Sequence, residues 1–187
     1  MSPIELAAAA LGLANILLII RRSVWNFPVA VAMVALFALL FWQQKLYSDA
    51  LLQLFFIAAN VYGWWAWKRN TLGGDALVVR SMSARQSALW IGFALIATAL
   101  WGHMMATKTD ASYPYWDASI LMLSMAAQII MARRYVENWH WWIVVNLLSI
   151  PLYVIKGLSL SAGLYGVFLV LAIVGLVEWR KAEARQI

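Results

Sequence analysis

The chain has 187 residues, 65% of them hydrophobic and 12% charged, with a formal net charge of +6 and no cysteine. A soluble domain is about 25% charged, so lipid must solvate most of this surface, and without cysteine there is no disulfide, thiolate nucleophile, iron–sulfur cluster or Cys-based zinc site. Twelve Trp, seven Tyr and seven Phe exceed what helix packing in a bilayer needs, and imply interfacial anchoring or a stacking site.

Apolar runs near the spanning length of about 20 residues fall at Ile4–Ile20, Val24–Trp42, Ala50–Trp67, Ala88–Ala106, Trp116–Ala132, Trp142–Ile155 and Leu160–Trp179. The sequence therefore predicts an all-α integral membrane fold of seven transmembrane helices. The sixth run is short, and Trp139 and Trp141 extend it as an aromatic interfacial turn. The first run is followed by Arg21-Arg22 rather than a small-residue cleavage site, so it reads as a retained helix. Lys68–Ser87 holds one Gly-Gly pair and reads as a linker.

The cations are strongly asymmetric about these spans. Arg21, Arg22, Lys68, Arg69, Arg80, Arg85, Arg133, Arg134, Arg180, Lys181 and Arg185 fall on one side, against Lys45, Lys108 and Lys156 on the other. The positive-inside rule then places the N-terminus outside and the C-terminus in the cytoplasm. Net charge so distributed is a topology signal and excludes a nucleic-acid partner as its explanation.

Several features recur at an offset of 112 residues: Arg21-Arg22 with Arg133-Arg134, Gly63 with Gly175, Trp67 with Trp179, and Arg69 with Lys181. The same offset at both ends of a three-helix unit predicts a 3+1+3 arrangement: residues 1–69 as one repeat, 70–112 as linker and connecting helix, and 113–187 as the second repeat. Four helices separate each residue from its mate, so the repeats are parallel, which is a transporter architecture.

Polar side chains inside the spans fall in two stripes. On the third helix Gln53, Phe56, Asn60, Trp64 and Trp67 cover an arc of about 80°, and on the sixth Trp139, Trp142, Asn146, Ser149 and Tyr153 cover a similar one. Amides in hydrocarbon need partners or a cavity, and amides flanked by π-faces suit a flat, polar, cationic ring. No Asp, Glu, Lys or Arg sits at mid-span, which disfavours an anionic nucleotide and a proton relay. His103 and His140 are too few and too separated for a metal site, and neither catalytic residues nor a cofactor are predicted.

Other positions carry smaller expectations. Asp49 and Asp117 open helices as N-caps or dipole partners, or lure a cation. Trp25, Trp42, Trp65, Trp90, Trp116, Trp141 and Trp179 form an interfacial belt, and Pro28 and Pro151, inside their spans, either kink them as a hinge for alternating access or serve packing alone. Gly163 and Gly166, with Ala162 and Ala172, offer a small-residue face for close helix packing or self-association.

The segments Lys45–Gln53, Tyr62–Trp67, Tyr115–Ala118, Glu137–Trp139, Asn146–Tyr153, Lys156–Leu158 and Leu164-Tyr165 together resemble the PnuC-type nicotinamide riboside transporters, across Arg21 to Trp179. The resemblance implies a fold related to the SWEET sugar transporters, a homotrimer in the bacterial inner membrane, and facilitated diffusion of an unphosphorylated vitamin that a cytoplasmic kinase then traps for NAD synthesis. The family's Trp-x-x-Trp pattern is similar to Trp139–Trp142, and Tyr165 joins the substrate-binding set. Relatives of this fold carry thiamine or riboflavin. Nicotinamide riboside ranks first as the expected substrate and thiamine second, since both are ring cations with a hydroxylated arm.

Overall fold

The structure, a computed structural model, describes residues 3–43, 47–71 and 77–186; the side chains of residues 3–5, 40, 41, 43, 47–51, 70, 71 and 160 fall outside that description, as do Lys45 and the Gly73-Gly74 pair. The described residues form seven α-helices: α1 (Pro3–Ile20), α2 (Asn26–Gln43), α3 (Tyr47–Thr71), α4 (Ala84–Lys108), α5 (Pro114–Ala132), α6 (Asn138–Ile155) and α7 (Ser159–Ala184). Each coincides with a predicted span. α4, α5 and most of α7 are long and apolar enough to cross a membrane, while α1 and α2 contribute shorter apolar stretches. α4 exposes Leu89, Ile91, Phe93, Leu95, Ile96 and Leu100 around its circumference and buries only Ala94 and Gly102, the pattern of a helix solvated by lipid.

Where the helices overrun the sequence reading, local interactions carry them. α7 continues through Arg180, Lys181 and Glu183, with Lys181 Nζ bonding Glu178 Oε1 at 2.8 Å across one turn. α4 starts at a capping box: Gln86 N donates to Ser83 Oγ at 3.3 Å and Ser83 N to Gln86 Oε1 at 3.0 Å. Pro28 is the third residue of α2, where a missing amide costs nothing, and so does not kink a mid-span. Pro151 does lie inside α6.

The chain divides into two compact units, Met1–Val78 with Ala182–Ile187, and Val79–Lys181. In the first, α2 packs on α1 and on α3. α1 closes with Arg22 at φ +56°, its amide bonding Ile19 O at 2.9 Å and the Ser23 amide bonding Leu18 O at 2.9 Å, the paired bonds of a Schellman end. Asn26, fully buried, donates Nδ2 to Ser23 O at 2.6 Å, and Asn15 Nδ2 on α1 donates to Asn26 O at 2.7 Å. The Phe27 ring meets Trp67 edge-on at 4.9 Å and 88° and fills the notch at Gly63, where a Cβ would overlap it.

In the second unit α5 packs on α4 and α6. Gly102 admits Tyr115, whose ring would lie 2.5 Å from a Cβ there. Trp116 Nε1 reaches Leu148 O on α6 at 3.0 Å, next to the Leu147 carbonyl whose partner amide Pro151 removes. α5 closes with Arg134 at φ +65°, and the Arg134 and Tyr135 amides bond Met131 O at 2.8 Å and Ile130 O at 3.2 Å. Asn138 Nδ2 donates to Tyr135 O at 2.7 Å. Trp139 meets Trp179 edge-on at 5.7 Å and 86° and fills the notch at Gly175, where a Cβ would sit 2.5 Å from ring carbons. Ser23 and Tyr135, Asn26 and Asn138, Phe27 and Trp139 all keep the 112-residue offset, so the local arrangement of the first unit recurs in the second.

The linker has more structure than the sequence suggests. Leu77, Val79 and Met82 are buried while Val78, Arg80 and Ser81 are exposed. Arg80 pairs in parallel with the α5–α6 turn, its amide bonding Arg134 O and its carbonyl accepting from Val136 N, both at 3.0 Å. Met82 N donates to Glu137 Oε2 at 3.0 Å.

Candidate functional site

The α6 stripe consists of side chains turned onto their own helix. Asn146 Nδ2 donates to Trp142 O at 2.8 Å and Ser149 Oγ to Val145 O at 2.8 Å. Both residues are buried, so the back-bonding satisfies donors that hydrocarbon could not. One N–H of Asn146 is used in this way; its second N–H and its carbonyl oxygen remain chemically available to hydroxyls or a carboxamide. Trp142 and Tyr153 are half-buried on the same stripe. Tyr153 meets Tyr165 of α7 at a ring distance of 5.0 Å and an interplanar angle of 53°, and Tyr165 continues to Phe168 at 5.7 Å. Asn146, Ser149, Tyr153 and Tyr165 thus place an amide, a hydroxyl and two phenols on α6 and α7.

Trp139 stands apart within that stripe. It is 2% exposed, with its ring held against Gly175 and Trp179, and its indole Nε1 has no partner among the described residues. The Asn26 and Asn138 Oδ1 atoms share that condition. Trp179, expected in the interfacial belt, is fully buried; Gly175, one turn earlier, opens the space that its neighbour Trp139 enters.

On α3, in the other unit, Gln53, Asn60 and Trp67 are buried and Phe56 is half-buried. Asn60 Nδ2 donates to Phe56 O at 2.8 Å, the same i to i−4 bond that Asn146 makes. Trp64 turns outward and is 40% exposed, so it does not join the buried residues of its stripe. Trp25, Trp42 and Trp65 are exposed as a belt requires.

The acidic openings divide. Asp117 forms an ion pair with Lys156, Nζ lying 2.9 Å from both carboxylate oxygens, which joins the start of α5 to the end of α6. Its side chain does not cap α5, whose N-cap is Tyr113. The Asp49 side chain lies outside the described residues. A Cβ at Gly163 or Gly166 would touch nothing among the described residues, whereas Ala162 and Ala172 are buried, so the expected small-residue face is divided. Among the described residues no three His, Asp or Glu side chains gather as a metal site.

The sequence matches, over residues 2–181, the family described as nicotinamide mononucleotide transporter. The chain belongs to that family. It is 30% identical to the nicotinamide riboside transporter PnuC of Escherichia coli (strain K12), over 96% of this chain and 85% of the relative. It is 28% identical to the riboflavin/roseoflavin transporter RibM of Streptomyces davaonensis, over 94% and 83%. A crystal structure of the vitamin B3 transporter PnuC superposes with a TM-score of 0.80 at 24% identity, over 97% of this chain and 82% of that one. The seven helices therefore build the fold of a PnuC transporter, and the protein is a multi-pass membrane protein of a vitamin-transporter family.

Proposed function

We propose that this PnuC-family chain carries nicotinamide riboside into the cell by facilitated diffusion, with the vitamin trapped by a cytoplasmic kinase and used for NAD synthesis. The observation that carries the reading is the 30% identity over 96% of the chain to a transporter named for that substrate. The residues agree with it. Trp142, Asn146, Ser149, Tyr153 and Tyr165 in one unit and Gln53, Phe56 and Asn60 in the other supply aromatic faces and uncharged hydrogen-bonding groups, and no carboxylate or cation stands among them to hold an anion or relay a proton. Trp139, with its covered ring, contributes its indole N–H and the rigidity of α6. The activity proposed is transport, in keeping with the family's description as a transporter.

The 3+1+3 parallel repeat of SWEET type, with 1–69 and 113–187 as repeats, is supported by the recurrence at 112 residues of the left-handed arginine, the buried Asn, the aromatic in a glycine notch and its Trp partner. The cation asymmetry supports an inner-membrane orientation with the N-terminus outside and the C-terminus inside. The homotrimer follows from the family resemblance and is tested by mass in detergent.

Thiamine is the alternative substrate, and the 28% identity to a riboflavin carrier adds riboflavin to the competitors. Proteoliposomes enclosing a nicotinamide riboside kinase and ATP should accumulate label from nicotinamide riboside, and excess thiamine or riboflavin should not suppress it. Failure to accumulate it, with uptake of unphosphorylated thiamine or riboflavin into empty vesicles, reassigns the substrate. Asn146→Ala and Trp142→Ala should abolish saturable uptake in protein that stays monodisperse; unchanged KM in both removes the α6 stripe from the site.

A further inference from the structure

The turn between α5 and α6 assembles positive charge that has no ion-pair partner among the described residues. Arg133 and Arg134 are consecutive, and Arg80 is brought to them by backbone pairing of the linker with the turn: Arg80 N to Arg134 O and Val136 N to Arg80 O, both 3.0 Å. The Arg80 guanidinium lies over the Tyr135 ring at 4.5 Å, and Tyr135 is fixed in turn by Gln86 Nε2, which donates to its hydroxyl at 3.3 Å, and by burial against Met82, Ala126 and Ile130. The Arg133 guanidinium lies over Trp90 at 5.9 Å. Both aromatic faces orient a cation without consuming its N–H donors.

Arg134 is the centre of the group. It occupies a left-handed backbone position that glycine takes more cheaply, and its half-buried guanidinium is held below the usual arginine range by burial first and by Arg80 second. Arg22, its counterpart in the first unit, directs its guanidinium to a backbone carbonyl, Leu77 O, at 3.4 Å. Arg134 has no such acceptor among the described residues, and neither it nor Arg80 has a carboxylate at ion-pair distance there. Glu137, the one carboxylate on this turn, gives Oε2 to the Met82 amide. Arg80 is exposed and Arg134 half-buried, so an anion between the two like charges that main-chain bonds bring together would relieve their repulsion, and the planar forks of guanidinium groups suit the oxygens of a phosphate.

We propose that Arg80 and Arg134, flanked by Arg133, bind a phosphate group at the α5–α6 turn, supplied either by a phospholipid headgroup or by a soluble phosphomonoester. The site is independent of the substrate stripe, so it stands whichever vitamin the chain carries.

The test uses the full-length chain and the variants Arg80→Gln, Arg134→Gly and Arg85→Gln. Glycine at 134 keeps the backbone conformation, and Arg85→Gln removes the same charge from the first turn of α4, outside the Arg80–Arg134 pair. In one arm, protein in neutral phosphatidylcholine nanodiscs is titrated with inorganic phosphate and followed by thermal shift; in the other, native mass spectrometry counts phosphatidylglycerol retained from a mixed bilayer. The wild type should bind in at least one arm, and Arg80→Gln and Arg134→Gly should weaken that binding roughly tenfold each while Arg85→Gln leaves it intact. Loss in the nanodisc arm identifies a soluble phosphate, and loss in the lipid arm a headgroup. Absence of binding in both arms, equal binding by all variants, or an equal drop in Arg85→Gln overturns the site.

Discussion

Gly175→Ala tests the packing that holds α6 and α7 together. The new Cβ would meet three atoms of the Trp139 ring at 2.5–2.6 Å, inside the distance at which carbon atoms repel, and the indole has no room to retreat because its edge already abuts Trp179 and the residue is 2% exposed. Overpacking of this kind costs about 1–3 kcal/mol, against which alanine regains about 0.5–1 kcal/mol of helix preference. The net loss of about 0.5–2 kcal/mol should lower Tm in detergent by roughly 1–8 °C. Gly92→Ala is the matched control, since a Cβ there meets nothing within 4 Å; it should raise Tm by roughly 1–4 °C. In a double-mutant cycle, Trp139→Leu should absorb part of the Gly175→Ala cost, with a coupling of at least about 0.5 kcal/mol. If Gly175→Ala is as benign as Gly92→Ala, or the cycle is additive, the notch does not constrain the helices and the reasoning fails.

Arg22→Gly should stabilise the chain by about 0.5–1 kcal/mol, because glycine adopts φ +56° without the left-handed penalty and the bond lost, to Leu77 O at 3.4 Å, is long; thermal shift reads it. Ser83→Ala removes the α4 capping box and should cost about 1 kcal/mol, seen as a lower Tm with unchanged uptake affinity. Pro151→Ala restores an amide to the α6 ladder and should raise stability by up to about 3 kcal/mol; if α6 bends during transport, the maximal uptake rate falls with KM unchanged, and an unaltered rate excludes that bend from the cycle.

All seven helices were legible because runs of about 20 apolar residues have few alternatives, and the ends were less so because charge alone does not stop a helix. Arg180, Lys181 and Glu183 extend α7 since Glu178 and Lys181 are one turn apart. The strap at 77–82 was legible only as linker: six residues are too few to fix a period, Val78 is exposed between buried Leu77 and Val79, and it is the Arg80 backbone, not its side chain, that pairs with the α5–α6 turn. Trp179 shows the limit for the site residues. Position at a span end suggests a belt, whereas the face a residue presents depends on its neighbours, and Gly175 four residues earlier was the available sign of a hole. Asn26 and Asn138, identical and 112 apart, carry the repeat in the sequence itself, each one residue before the aromatic that fills its glycine notch.

The aromatic excess resolves into groups with different physics. Phe27 with Trp67, and Trp139 with Trp179, fill glycine notches and brace α2 on α3 and α6 on α7. Trp25, Trp42 and Trp65 are exposed, as an interfacial belt needs. Tyr135 and Trp90 orient arginines. On α6 and α7 the proposed site draws on Trp142, Tyr153 and Tyr165 beside Asn146 and Ser149. The rigid pairs bear on that remainder, because a stacking site discriminates between flat rings only if its walls cannot drift apart. Displacing Trp139 from its notch should therefore blur the choice between nicotinamide riboside and thiamine before it abolishes transport, and competition by thiamine in Gly175→Ala proteoliposomes measures that blur directly.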